Sequence, residues 1–206
     1  MTSKITSDIY QGDQTDHFKY ALLESFQDIS PKDIIFWKLG HLKNAAITPK
    51  EYEERIKRFF HGLCELEVIT SPQTTEYFIK KSAGKKVIFI NPPVGLSGVK
   101  SKTYLGTKSD KRSVEYIHSK TFNDLLQSLQ EDQALFYYQY VRAMELKEIK
   151  NICKELAGMF NTNKIVESIV FPNCVFIFLT PKGLSSLLKK DFYERLETSK
   201  RIISAN

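Results

Sequence analysis

What is scarce in these 206 residues excludes several classes of protein before anything is assigned. No apolar run approaches the roughly 20 residues that cross a bilayer; long ones, such as residues 87–90 and 174–179, stop far short of it. No membrane span is expected. No apolar segment follows the start Met1-Thr2-Ser3-Lys4, so the chain reads as cytoplasmic or nuclear and not secreted. Cysteine is rare: Cys64, Cys153 and Cys174 are odd in number, far apart and set among apolar neighbours, the pattern of buried free thiols without a disulfide. There is no Cys-x-x-Cys, and His17, His41, His61 and His118 never fall four residues apart, so no metal site is expected. Glycine-rich turns are also missing. Ser82-Ala83-Gly84-Lys85-Lys86 lacks the earlier glycine and the following Ser or Thr of a phosphate-cradling loop. His61 and Cys64 lie one helical turn apart with no identifiable orienting acid, which reads as a core cysteine beside a surface histidine. With no catalytic motif and no cofactor implied, the expectation is a non-enzymatic protein.

Aromatic residues are abundant instead: 14 Phe and 10 Tyr against a single Trp, within 42% apolar content, are enough to build a core. The net charge of +6 is not spread along the chain. Residues 85–120 hold 8 basic against 2 acidic side chains, while the stretches before and after are nearly balanced. A localised excess of this kind attracts an anionic surface.

Along the chain, residues 1–15 read as a loose leader and order is expected from Asp16. Phe18, Leu22, Leu23 and Phe26 predict a first helix capped by Asp16, and Ser30-Pro31-Lys32-Asp33 predicts a second carrying Ile34, Ile35, Trp37 and Leu39. Thr48-Pro49-Lys50-Glu51 is a capping box with proline at the first helical position and opens a third, with Tyr52, Ile56, Phe59, Phe60 and Leu63 on one side. Leu66, Val68 and Ile69 predict a strand, Tyr77-Phe78-Ile79 its return, and residues 85–91 a further strand. Residues 92–118 form the basic linker between halves 16–91 and 119–200, with 201–206 as a tail. In the second half, helices are expected from Thr121, over residues 133–144, and along the stripe Leu146, Ile149, Ile152, Leu156 and Phe160. Two strands joined at Pro172-Asn173 predict a hairpin, and Thr180-Pro181 opens a closing helix with Leu184, Leu187, Leu188 and Leu196.

Each half thus reads as three helices followed by a β-hairpin, an α+β order that resembles the winged-helix variant of helix-turn-helix proteins. Phe178-Leu179-Thr180-Pro181-Lys182-Gly183-Leu184 resembles a wing strand passing into a closing helix. The resemblance covers about two thirds of the chain. It implies a tandem winged-helix, DNA-binding or DNA-organising factor, in which linker and hairpins contact phosphates. By position, groove contacts would fall to Lys50, Lys57 and Arg58 in the first half and to Lys147, Lys150 and Lys154 in the second. Glu53, Glu54, Glu148 and Glu155 on the same helices favour a solvated, mixed-charge face over a DNA-reading one. Lys100, Lys102, Lys108, Lys111 and Arg112 in the linker are the best candidate phosphate contacts.

Residues 87–93, a strand ending in Asn91-Pro92-Pro93, resemble the strand plus Asn-Pro-Pro-aromatic motif of amino-methyltransferases, in which the Asn side chain and a backbone carbonyl hold the target amine. Val94 stands in the aromatic position and no glycine-rich turn precedes the motif, so a strand stopped by two prolines is the preferred reading. Phe136, Tyr137, Tyr138 and Tyr140 are expected to pack and not to stack on bases. The alternative function is an interaction adaptor that holds a partner protein or an acidic peptide; partner DNA or partner protein, the composition leaves room for a homodimer.

Overall fold

Strands that are apolar on both sides need cover on both sides, and that requirement organises this chain. The computed structural model describes residues 14–39, 48–71, 73–92, 95–96, 116–117, 119–140, 163–171, 174–198 and 202–204. Helix α1 is Gln14–Glu24; a short 3-10 turn at Pro31–Asp33 then leads into β1, Ile34–Leu39. There follow α2 (Pro49–Phe59), β2 (Glu65–Ile69), α3 (Thr75–Ser82) and β3 (Val87–Asn91). Strands β4 (Gly95–Leu96) and β5 (Tyr116–Ile117) form a small parallel pair of their own. Helix α4 (Ser119–Ser128), β6 (Ala134–Tyr140), β7 (Ile165–Phe171) and β8 (Cys174–Thr180) come next. A 3-10 turn at Leu184–Ser186, α5 (Lys190–Thr198) and β9 (Ile202–Ser204) complete the described chain.

Seven of the described strands make one sheet in the order β2-β1-β3-β6-β8-β7-β9. The first four are parallel, and β8, β7 and β9 add on antiparallel. The path runs from β1 outward to β2, then reverses past β1 to β3 and on to β6. Right-handed crossovers place helices on opposite faces when the direction reverses. Accordingly α2, with Tyr52, Ile56 and Phe60, covers one face together with Leu22, Leu23 and Phe26 of α1 and its extension. Phe78 of α3 and Phe122, Leu125 and Leu126 of α4 cover the other. The result is three layers, helices on both faces of a mixed sheet. Phe36 stacks on Phe89 at 4.6 Å between ring centroids, and Phe136 meets Phe178 edge-on at 4.7 Å. Those contacts tie β1, β3, β6 and β8 into one apolar layer.

The α+β class stands, but two winged-helix halves do not. Strand β3 of the expected first half pairs with β6 of the second, and β7 and β8 lie inside the sheet instead of projecting as a wing. Three element assignments change with it. The segment holding Ile34, Trp37 and Leu39 is a strand, because a run buried on both faces shows no alternation to separate it from a helix. Residues 134–140 are likewise a strand and not a helix. Tyr77-Phe78-Ile79 sits within α3, capped by the Thr74 hydroxyl accepting from Tyr77 N. The closing helix begins at Lys190 instead of Thr180, after the 3-10 turn. The Thr48 capping box forms as expected, with Thr48 Oγ1 accepting from Glu51 N and Glu51 Oε2 from Thr48 N. Asp16 lies inside the first turn of α1 instead of capping it. The stripe at 146–160 and most of the linker at 92–118 lie outside the described residues. Among the described residues, no helix is long and apolar enough to cross a membrane.

Candidate functional site

In a sheet of this kind, the chain leaves its parallel strands in opposite directions at the point where the order reverses, and the divergent connections open a crevice outside the carboxyl ends. Here that point lies between β1 and β3. Lys38 and Asn91 are register partners across it. Alternation puts both on the face of Phe36 and Phe89, the face covered by α1 and α2. One strand further, Tyr138 follows Tyr137, the partner of Ile90, and packs on that same face. Lys38, Asn91 and Tyr138 therefore form a row across three strands at the carboxyl edge.

The chemistry of the row is uneven. Asn91 is only 2% exposed, yet its side-chain Nδ2 donates to nothing among the described residues. A buried donor left unmatched costs about 1–3 kcal/mol. Lys38 is half-buried. Beside Tyr138 lies a buried ion pair on α1: Lys19 Nζ sits 2.8 Å from Asp16 Oδ1 and 4.8 Å from the centre of the Tyr138 ring. Helix α2 follows β1, α3 follows β2, and Thr75 at the start of α3 donates to Thr121 Oγ1 near the start of α4 at 3.2 Å. The amino ends of three helices thus face this edge, and their dipoles favour negative charge there.

On the opposite face of the sheet, Glu67 of β2 accepts from Tyr77 Oη of α3 at 2.7 Å and from Lys81 Nζ. Burial raises the Glu67 carboxyl, but the Lys81 and Tyr77 bonds outweigh it and hold the group below its ordinary range. Burial and then the Glu67 bond push the Tyr77 phenol up to about 12. This network fastens α3 to β2 and closes on itself.

The residues expected from sequence to touch DNA are placed unevenly. Lys50, Lys57 and Arg58 are exposed on the outer side of α2, where Lys57 pairs with Glu53 and Lys50 lies 4.0 Å from Glu54. Helix α2 is a crossover helix packed on the sheet, so its position is not that of a recognition helix. Lys100, Lys102, Lys108, Lys111, Arg112, Lys147, Lys150 and Lys154 lie outside the described residues. Phe136, Tyr137 and Tyr138 are packed in the layers, Tyr137 fully buried with its hydroxyl donating to Gln139 Oε1 at 2.8 Å; the Tyr140 side chain lies outside the description. Burial, then Glu65, pushes the Cys64 thiol up to about 12, which leaves it without thiolate character beside the exposed His61.

Asn91 carries a signal visible in the sequence, the Asn-Pro-Pro stop of a strand, but not its place at the reversal point. Lys38 carries none, because assigning its segment to a helix removed it from any edge. Compared with known protein families, curated proteins and solved structures, the chain matches none. The fold and site together define a class only: a mixed helix-and-sheet protein with a polar row at the carboxyl ends of its parallel strands.

Proposed function

We propose that this protein is a DNA-binding factor that meets the phosphate backbone with the carboxyl edge of its parallel strands. The observation that carries the reading is where the positive segment is anchored. Residues 92–118 hold 5 basic and 2 acidic side chains, and the described elements that bound them, β3 ending at Asn91 and α4 starting at Ser119, both open on that edge. A charge excess tethered at both ends beside one edge concentrates its field there, and binding of this type weakens steeply as salt displaces the released counterions. The test is fluorescence anisotropy of a labelled random duplex at low and raised salt. Wild type is compared with a variant in which Lys100, Lys102, Lys108, Lys111 and Arg112 are all Ser. Salt-sensitive binding that the variant loses supports the reading; a wild type that leaves the duplex free at low salt removes it.

A second reading has one specific observation in its favour. The Asn-Pro-Pro stop that resembles amino-methyltransferases ends β3 at the reversal point of the sheet. Incubation with duplex and S-adenosylmethionine carrying a tritiated methyl group tests it: label on the DNA, lost in Asn91→Ala, supports transfer to a base amine, and unlabelled DNA from a protein that binds duplex rejects it.

A further inference from the structure

We infer that Lys38 and Asn91 form a single oxyanion-binding site, and that its ligand is a phosphate group. The inference deepens the DNA reading and rests on it for the source of that phosphate. Three features point to an anion. First, the group left unmatched among the described residues at Asn91 is a donor on a residue only 2% exposed, so what it lacks is an acceptor oxygen. Its desolvation is already incurred on folding, and an arriving oxygen recovers the hydrogen bond without that penalty. Second, its register partner on the same face is Lys38, half-buried, whose ammonium supplies a charge-assisted bond to the same ligand. Third, the charges beside the row leave it positive. The Asp16 carboxylate on α1 is paired with Lys19, so that buried pair adds no net charge to the charge of Lys38.

A lysine and an amide N–H₂ on adjacent strands suit a tetrahedral oxyanion, which offers several acceptor oxygens within one van der Waals volume. They do not suit an amine, which brings donors to donors. The phosphate comes either from a DNA backbone or from a free phosphate-bearing molecule, and the same site chemistry serves both.

The test uses the full chain labelled with ¹⁵N. Inorganic phosphate is titrated at constant ionic strength against a chloride control, while the Asn91 side-chain N–H₂ resonances are followed. Calorimetry measures the affinity of wild type, Lys38→Met and Asn91→Asp, the last replacing the donor by a second acceptor of the same shape. Phosphate is expected to shift the Asn91 signals, and each substitution to weaken phosphate by about 10-fold or more, the scale of one charge-assisted bond. Unmoved Asn91 signals in the wild type overturn the inference whether or not either variant folds, as does unchanged affinity in both variants. The duplex arm separates the two readings. A duplex that binds without moving the Asn91 signals leaves the DNA reading standing and sinks the phosphate site. Phosphate that moves them in a protein with no affinity for duplex establishes the site with a small phosphate-bearing ligand and sinks the DNA reading.

Discussion

Two buried polar side chains, one on each side of the sheet, are treated in opposite ways. On the antiparallel side, Glu167 of β7 is 6% exposed and its Oε2 accepts from Leu184 N at the start of the 3-10 turn. Gly183 precedes that turn with φ of 87°, a conformation that L side chains rarely adopt, and so lets the chain present Leu184 N–H to the carboxylate. On the parallel side, Asn91 of β3 is as deeply buried and its Nδ2 is matched by nothing among the described residues. A matched buried group fastens the scaffold; an unmatched one costs stability and persists where something else uses it. Glu167 therefore reads as part of the frame and Asn91 as part of the working end; burial without a partner among the described residues is not confined to the parallel side, since Thr180 Oγ1 of β8 shares it.

The sharpest way to break that comparison is to ask whether the two sides are separate bodies. Phe89 and Phe176 are both fully buried in the same apolar layer, one on each side. Phe89→Ala and Phe176→Ala should each cost about 3–5 kcal/mol in urea unfolding, with a single transition in both. Two transitions, one of them untouched by the substitution, would divide the sheet. Next in size, Glu167→Ala should destabilise by about 1–3 kcal/mol, because Leu184 N–H loses its acceptor while remaining buried. Asn91→Leu should act with the opposite sign, raising stability by about 1 kcal/mol as the unmatched donor disappears, while abolishing phosphate binding. A destabilised Asn91→Leu would mean that the amide belongs to the frame.

The smallest effect concerns pH. The Glu67 carboxyl is held below its ordinary value of 4.5 in the fold, so the folded state binds its proton less readily than the unfolded chain. Its contribution is fully present above that ordinary value and is lost as the pH falls below it and through the folded value. Glu67→Gln should lower stability near neutral pH by less than about 1 kcal/mol, the range for a partly exposed pair, leave stability below the folded value unchanged, and so flatten the acid limb of the profile. An unchanged acid limb would show that the Tyr77 and Lys81 bonds do not hold in solution.

Local chemistry was legible wherever it was self-contained. The Thr48 capping box needs only the residues from Thr48 to Glu51, and it forms as read. The hairpin of Ile165–Phe171 with Cys174–Thr180 needs only its own short connection, and the register Phe171 to Cys174 closes it. Reading failed where both faces of an element are buried. Ile34 to Trp37 and Ala134 to Tyr138 carry apolar or aromatic side chains at successive positions, and a run without period 2 or 3.6 does not distinguish strand from helix. The start Ser30-Pro31-Lys32-Asp33 does turn helically, but for three residues only, before β1 takes over. Once β1 was assigned to a helix, Lys38 had no strand end to occupy and no partner in Asn91.

By itself, then, the sequence determined the capped helix α2, the terminal hairpin, the strand stopped at Asn91-Pro92 and the confinement of positive charge to residues 85–120. Each depends on neighbours in the chain, within one turn or one hairpin. Only the tertiary structure decided that seven strands share one sheet, that its order reverses between β1 and β3, and that Lys38 and Asn91 meet there. Parallel pairing joins residues dozens of positions apart through crossovers, and the hydrogen bonds that set its register are made by a backbone common to every residue. That leaves no local mark in the side-chain pattern from which the pairing of two distant strands is read.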